Sequence, residues 1–131
     1  MANPNIVNVS TITFQNGGWS LNSNGTGAAV LLTVADHYSL KINSLYICNT
    51  QATDETVTIS FDNLAAGTGA AHNNDADADP PLVSGMTIPA KTTVQIVDNP
   101  IYLLEGHTMS GAGGTDNDDL KVFASWEVFI D

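Results

Sequence analysis

Alternating apolar and polar positions recur in short segments along the chain, and they predict β-strands rather than helices. Residues 56–61 alternate most regularly, with Val57, Ile59 and Phe61 on one face and hydroxyl side chains on the other. Further strand patterns cover residues 6–14, 28–34, 40–48, 92–97, 101–104 and 120–130. Several short strands separated by turn signals are typical of two packed antiparallel sheets. For a chain of 131 residues we therefore expect an all-β single domain (residues 1–131), an antiparallel β-sandwich of the jelly-roll or immunoglobulin-like kind.

The strand pattern of residues 40–48 changes phase by one residue. Leu40 and Ile42 have one parity, whereas Leu45 and Ile47 have the other. A single extra residue in a strand restores the direction of its side chains. The pattern therefore predicts a β-bulge near residues 43–44, or a strand that passes between the two sheets.

The last segment, residues 120–130, is apolar on both faces. Its even-numbered positions are apolar throughout, and Phe123 and Phe129 lie at odd-numbered positions. This pattern indicates a central strand with one face covered by the second sheet. The other face would then meet a neighbouring subunit, which makes Phe123 and Phe129 predicted partner contacts.

Turn chemistry predicts the segments between the strands. Residues 16–18 (Asn-Gly-Gly) and 84–86 (Ser-Gly-Met) are turn signals. Residues 62–84 and 111–119 are predicted to be flexible acidic loops, because they are rich in Gly, Ala and Asp. Residues 1–8 contain Pro4 and three Asn, which disfavour a helix. We expect an extended N-terminal arm whose predicted partner contacts are Asn3, Pro4, Asn5 and Ile6.

The charge of the chain limits its partners. The sequence contains fourteen acidic residues, three lysines and no arginine, which gives a net charge of −11. Nucleic acids and anionic membranes both attract proteins through Lys and Arg, so neither is an expected partner. The opening residues show no basic and apolar secretory pattern, and no apolar run is long enough to span a bilayer. We expect synthesis in a cytoplasm.

Metal-binding patterns are weak. Asp75, Asp77 and Asp79 resemble the start of a calcium loop, but Pro80 occupies the position that needs Gly, which excludes an EF-hand. A looser calcium site shared with Asp116, Asp118 and Asp119 stays open as an alternative. His37, His72 and His107 follow no zinc spacing.

Catalytic patterns are missing as well. The chain has no Gly-x-Ser-x-Gly elbow and no phosphate-binding loop. We therefore expect no catalytic, cofactor or metal residues and no enzymatic activity. Cys48, the single cysteine, is expected to be a buried thiol. Five aromatic residues could form a carbohydrate platform, although core or interface positions are favoured for them: Trp19, Trp126, Tyr38, Tyr46 and Tyr102.

Several segments carry a resemblance in chain order: MANPNIVNVS (1–10), LKINSLYICN (40–49), TVTIS (56–60), IPAKT (88–92), PIYLLEG (100–106) and ASWE (124–127). Together they resemble small structural proteins of tailed phages, notably myoviruses of marine cyanobacteria. The resemblance extends over most of the chain and is one of pattern rather than of a single motif. The 62–84 and 111–119 loops depart from it.

This resemblance implies a non-enzymatic β-sandwich protein of the virion, made in the host cytoplasm. It implies a capsid decoration or cement protein that binds the outer capsid surface as a homo-oligomer. Its partners would be the major capsid protein or other virion proteins. A neck, tail or fibre component is one alternative, and a carbohydrate- or calcium-binding attachment module is another.

Overall fold

The computed structural model describes residues 9–21, 29–62, 81–114 and 119–130. This part of the chain consists of strands joined by turns. The strands are β1 (Thr11–Ser20), β2 (Ala29–Thr33), β3 (Tyr38–Asn49), β4 (Glu55–Asp62), β5 (Pro81–Ile88), β6 (Thr93–Val97), β7 (Ile101–Leu103), β8 (Thr108–Gly113) and β9 (Leu120–Ile130). Over the same ranges, no helix has the length and apolar character needed to cross a membrane.

The strands form two antiparallel sheets that face each other. The first sheet has the order β1-β9-β3-β6, with β7 also paired to β3, and the second has the order β2-β8-β4-β5. β6 pairs with residues 45–48 of β3 and β7 with residues 40–42, so together they occupy one strand position. Each sheet therefore has four strand positions side by side. Two such sheets with these strand orders form a jelly roll. The predicted antiparallel β-sandwich is confirmed, and the strand order selects the jelly roll over the immunoglobulin-like alternative.

Apolar side chains of both sheets fill the space between them. The largest fully buried ones are Leu21, Ile42, Leu45, Ile47, Ile59, Ile88, Met109, Leu120, Val57 and Val122. Val57 and Ile59 are buried as predicted, and Phe61 packs against the same core while half-exposed. Removing this apolar surface from water is the main favourable term in folding.

The phase change predicted in β3 is a β-bulge. The pairing of β3 with β9 shifts register between Ile42 and Ser44. Leu40 and Ile42 on one side of the shift, and Leu45 and Ile47 on the other, are all buried. The extra residue therefore keeps both halves of a long strand directed into the same core.

The turn predicted at residues 16–18 is wrong, because β1 continues through these residues. Gly17 pairs with Ala124 and Gly18 with Phe123. A Cβ on Gly17 would lie 2.9 Å from Cη2 of Trp126 and 3.1 Å from Cζ2 of Trp19. The two indole rings stack with centroids 5.8 Å apart. Gly17 is thus needed for the close approach of the two rings rather than for a turn.

The predicted acidic loops are wrong at their edges. β4 includes Asp62, β5 begins at Pro81 and β8 extends to Gly113. Gly85, predicted to lie in a turn, has a φ of 61° within β5, where the pairing with β4 shifts register between Val57 and Ile59. It therefore forms a bulge in a paired strand. Residues 63–80 and 115–118 lie outside the described residues.

A buried asparagine fixes the end of β3. Asn49 is 1% exposed, and its amide nitrogen donates to the carbonyls of Thr53 (2.8 Å) and Ile88 (2.9 Å). Its Oδ1 accepts from the backbone N–H of Gln51 at 2.9 Å. One side chain thereby connects β3, the following turn and the end of β5, which no strand pattern predicts.

Adjacent glycines in β1 provide a test of the packing. We expect Gly17→Ala to lower the free energy of unfolding by about 1–3 kcal/mol, because the added methyl overpacks the indole pair. Gly18→Ala should change it by less than about 0.5 kcal/mol, since the Cβ meets only the Val122 carbonyl at 3.6 Å. Urea unfolding followed by tryptophan fluorescence measures both. Equal effects would contradict the packing role of Gly17.

Asn49→Ala tests the polar connection. We expect a loss of about 3 kcal/mol of unfolding free energy, because the substitution leaves buried backbone groups without partners. Asn99→Ala is the matched control, since Asn99 is exposed and its amide donates only to the Asp98 carboxylate at 3.3 Å. The control should lie within about 0.5 kcal/mol of the unmodified protein. Similar unfolding free energies for the two variants in urea would contradict a stabilising role of the Asn49 hydrogen bonds.

Candidate interaction surface

The first sheet has an outward side that the second sheet does not cover, and we call it the outer face. Because side chains alternate along a strand, cross-strand register identifies its residues. They are Ile12, Phe14, Asn16, Gly18 and Ser20 of β1; Lys121, Phe123, Ser125, Glu127 and Phe129 of β9; Ser39, Lys41, Ser44, Tyr46 and Cys48 of β3; Thr93 and Gln95 of β6; and Tyr102 of β7.

Large apolar side chains are exposed on the outer face. Phe14 is 76% exposed, Ile12 53% and Phe123 49%. Phe129 is half-exposed and pairs directly with Ile12 across β1 and β9. The structure thus places the two sequence-predicted residues of β9 on one face and adds Ile12 and Phe14 to them. Large apolar side chains exposed together on one sheet face indicate a candidate interaction site; contact of Phe123 and Phe129 with a partner stays a prediction.

The first half of β1 has its amphipathic pattern reversed. Antiparallel strands usually direct apolar residues to the core and polar residues to water. Here Ile12 and Phe14 point outward, whereas Thr13 and Gln15 share the inward face with Val128 and Trp126. Gln15 Oε1 accepts a hydrogen bond from the Trp126 indole N–H at 3.2 Å, which satisfies a polar group of the core. Within the described part of the chain, Ile12 and Phe14 are not among the residues that pack against the core.

An open depression of about 370 Å³ lies at the other end of the outer face. Gly18, Tyr46, Cys48 and Phe123 are among the residues that line it. A Cβ on Gly18 would meet only the Val122 carbonyl oxygen, at 3.6 Å, so the space above Gly18 is open. Cys48, expected to be buried, is half-buried and borders this recess.

The outer face carries little of the negative charge of the chain. Lys41 and Lys121, two of the three lysines in the sequence, lie on it. Lys41 Nζ is 3.1 Å from a Glu127 carboxylate oxygen, and Lys121 Nζ donates to Ser20 Oγ at 2.7 Å. Glu127 is the only acid on the strands of this face as described. The net charge of −11 therefore belongs to other parts of the chain.

The tryptophans predicted as part of an aromatic platform lie in the interior. Trp126 is 6% exposed, and Trp19 packs half-buried against the core. Tyr46 and Tyr102 instead lie on the outer face, and Tyr38 is half-buried at the start of β3. The five aromatic residues are therefore not brought together on one surface.

The candidate metal residues are dispersed or lie outside the described ranges. His37 donates its backbone N–H to Glu105 (3.3 Å), and His107 Nδ1 accepts from the Leu104 N–H (3.2 Å). Asp119 is buried and accepts from the Gln51 amide at 2.6 Å. Across the residues that the structure describes, no three His, Cys, Asp or Glu side chains are grouped as a metal site. The remaining candidates lie outside those residues: Asp75, Asp77, Asp79, Asp116, Asp118 and His72.

The predicted N-terminal contacts also lie outside the described residues: Asn3, Pro4, Asn5 and Ile6. Ile12 and Phe14, by contrast, were not predicted to be contacts. Their shared parity in residues 6–14 was visible, but parity alone does not tell which face of a strand points to the core.

No protein-family model matches the chain, and no curated protein matches it. Among solved structures, a chain of the T13 IBDV viral particle is similar over 93% of this chain and 32% of its own length, with a TM-score of 0.49 and 10% identity. A chain from infectious bursal disease virus Gx strain is similar over 93% of this chain and 34% of its own length, with a TM-score of 0.45 and 12% identity.

The chain thus spans about a third of the length of these viral chains. At such low identity the likeness concerns backbone shape alone, and the fold assignment rests on the strand order of the two sheets. The resemblance of the sequence to virion proteins of tailed phages stays a prediction.

Proposed function

We propose that the protein is a non-enzymatic structural component of a virion, and specifically a capsid decoration or cement protein of a tailed phage. It binds the outer surface of the capsid as an oligomer and contacts the major capsid protein. The assignment to a tailed phage follows the sequence resemblance of residues 1–10, 40–49 and 100–106. A neck, tail or fibre component with the same fold is the alternative within the virion.

The outer face is the observation that carries this proposal. A jelly roll is a rigid scaffold that occurs in viral capsid and lectin domains, but fold alone does not assign a function. What favours assembly here is the exposed apolar surface of Ile12, Phe14 and Phe123 on one rigid sheet. A protein that holds a particle together needs such a surface for neighbouring subunits.

The polar composition of the chain fits a place on the outside of a particle. Its few lysines and lack of arginine offer few cleavage points to trypsin-like proteases. Its acidic surface disfavours binding to the packaged nucleic acid. A decoration protein needs a stable sandwich, segments that contact the capsid and a surface that withstands the environment, and it needs no catalytic residues.

The copy number of the protein in purified particles tests the proposal. We expect a ratio near one per major capsid subunit, or a simple fraction of it, in quantitative mass spectrometry, because decoration proteins follow the symmetry of the capsid lattice. A small ring-like number would favour the neck, tail or fibre alternative. Absence from particles would contradict a virion role altogether.

Deletion of residues 1–8 tests the predicted arm. We expect the shortened protein to lose binding to particles prepared without this protein. Its far-ultraviolet circular dichroism should stay unchanged, because β1 begins only at Thr11. Co-sedimentation with the particles measures binding. The full-length chain that carries Ala2→Ser and Asn8→Ser, at positions outside the predicted contacts, is the control and should keep its binding. Loss of the dichroism spectrum on deletion would mean that the segment is part of the fold.

A further inference from the structure

We infer that the outer face is a twofold interface between two copies of this chain, in which Phe14 of each copy enters the recess above Gly18 of the other. The inference deepens the proposed function, because it names the surface by which the oligomer forms. It rests on the arrangement of residues on this face and on the charge of the chain.

The outer face is divided by a row of small polar residues. Asn16, Ser125 and Ser44 lie side by side across β1, β9 and β3, and the two serine hydroxyls are 2.7 Å apart. Phe14 lies two residues to one side of this row on β1, and Gly18 two residues to the other. Two residues of strand are about 7 Å, so the largest protrusion and the recess lie at equal distances from the row.

A twofold axis along this row makes the face complementary to itself. In such an isologous contact, residue i meets residue j and residue j meets residue i. The rotation places Phe14 of one copy over Gly18 of the second copy, where no side chain blocks it. The small side chains along the axis allow the two sheets to approach each other to the usual packing distance of about 10 Å.

The charges agree with this arrangement. The rotation places Lys41 opposite Tyr46 of the second copy and Lys121 opposite Phe129 of the second copy. Each lysine thus faces an aromatic ring, which attracts a cation, and Glu127 faces Phe123 rather than an acid. Two copies with a net charge of −11 each repel one another, and on the described strands of this face two lysines accompany the single acid Glu127.

The size of the face is sufficient for a reversible dimer. Ten residues of β1 extend about 33 Å, and the four strand positions of the sheet span about 19 Å. The footprint is therefore about 630 Å² per copy and about 1,250 Å² for the pair, at the small end of specific protein interfaces. A concentration-dependent equilibrium between monomer and dimer is therefore expected for the isolated chain.

Sedimentation velocity of the full chain over a concentration series tests the interface. We expect Phe14→Asp and Gly18→Val each to raise the dimer dissociation constant at least about 30-fold, as for loss of a central aromatic anchor. Gly18→Val fills the recess without disturbing the strand. The matched control is Val30→Asp, because Val30 is 62% exposed on the second sheet; it should dimerise like the unmodified chain.

A cross-linking experiment provides a positive signal. In a Cys48→Ser background, Asn16→Cys places one exposed thiol of each copy on the proposed axis, where the two thiols face each other across the packing distance of about 10 Å between sheets. A short bis-maleimide reagent should join them, seen as a dimer on a denaturing gel. The matched control is Ser20→Cys, which lies about 14 Å along the strand from the axis, so its equivalents are too far apart to be joined.

A monomer at all concentrations, a dimer unaffected by either substitution, or an absence of the specific cross-link would overturn the inference. A dimer that persists in both variants would place the contact between copies elsewhere, for example along the edge strand β1. These measurements use the isolated protein, whereas the proposed function depends on its copy number in particles. The two can therefore fail separately.

Discussion

The burial of one face of β9 is the constraint on which the rest of the structure depends. β9 pairs with β1 along ten residues of that strand and with β3 along most of its length. Its even-numbered residues close the core from one side. Each strand paired with β9 must therefore match its register, because a register shift of one residue would move the apolar side chains of that strand from the core face to the solvent face. The bulge in β3 satisfies this condition for a strand whose apolar positions change phase.

Much of the fold was predictable wherever apolar parity decides the structure. The bulge in β3, the alternation of β4 and the two apolar faces of β9 follow from residues that are close in sequence. The predictions that were wrong concern Gly17, Gly85 and Pro81. Their chemistry is that of turns, but their conformations are set by partners distant in sequence, such as Trp126 against Gly17. Local patterns contain no information on such contacts.

The candidate surface was predictable to a smaller degree. Phe123 could be assigned to it because the other face of β9 was already needed for the core. Phe14 could not, since both faces of β1 contain polar and apolar residues and only its pairing with β9 fixes the direction. The recess at Gly18 is lined by residues of four strands, β1, β3, β6 and β9. Surfaces made by several strands require the sheet order, which the sequence leaves open among several topologies.

The two adjacent glycines of β1 serve different purposes, one in the packing of the core and one on the outer face. Gly17 faces the interior, where the stacked indoles leave no room for a methyl group, so stability alone accounts for it. Gly18 faces outward with open space above it, and a strand interior disfavours glycine for entropic reasons. Stability alone would therefore favour a larger residue at position 18. The recess that this glycine leaves is consistent with a surface shaped for contact with another molecule rather than for the stability of a single copy.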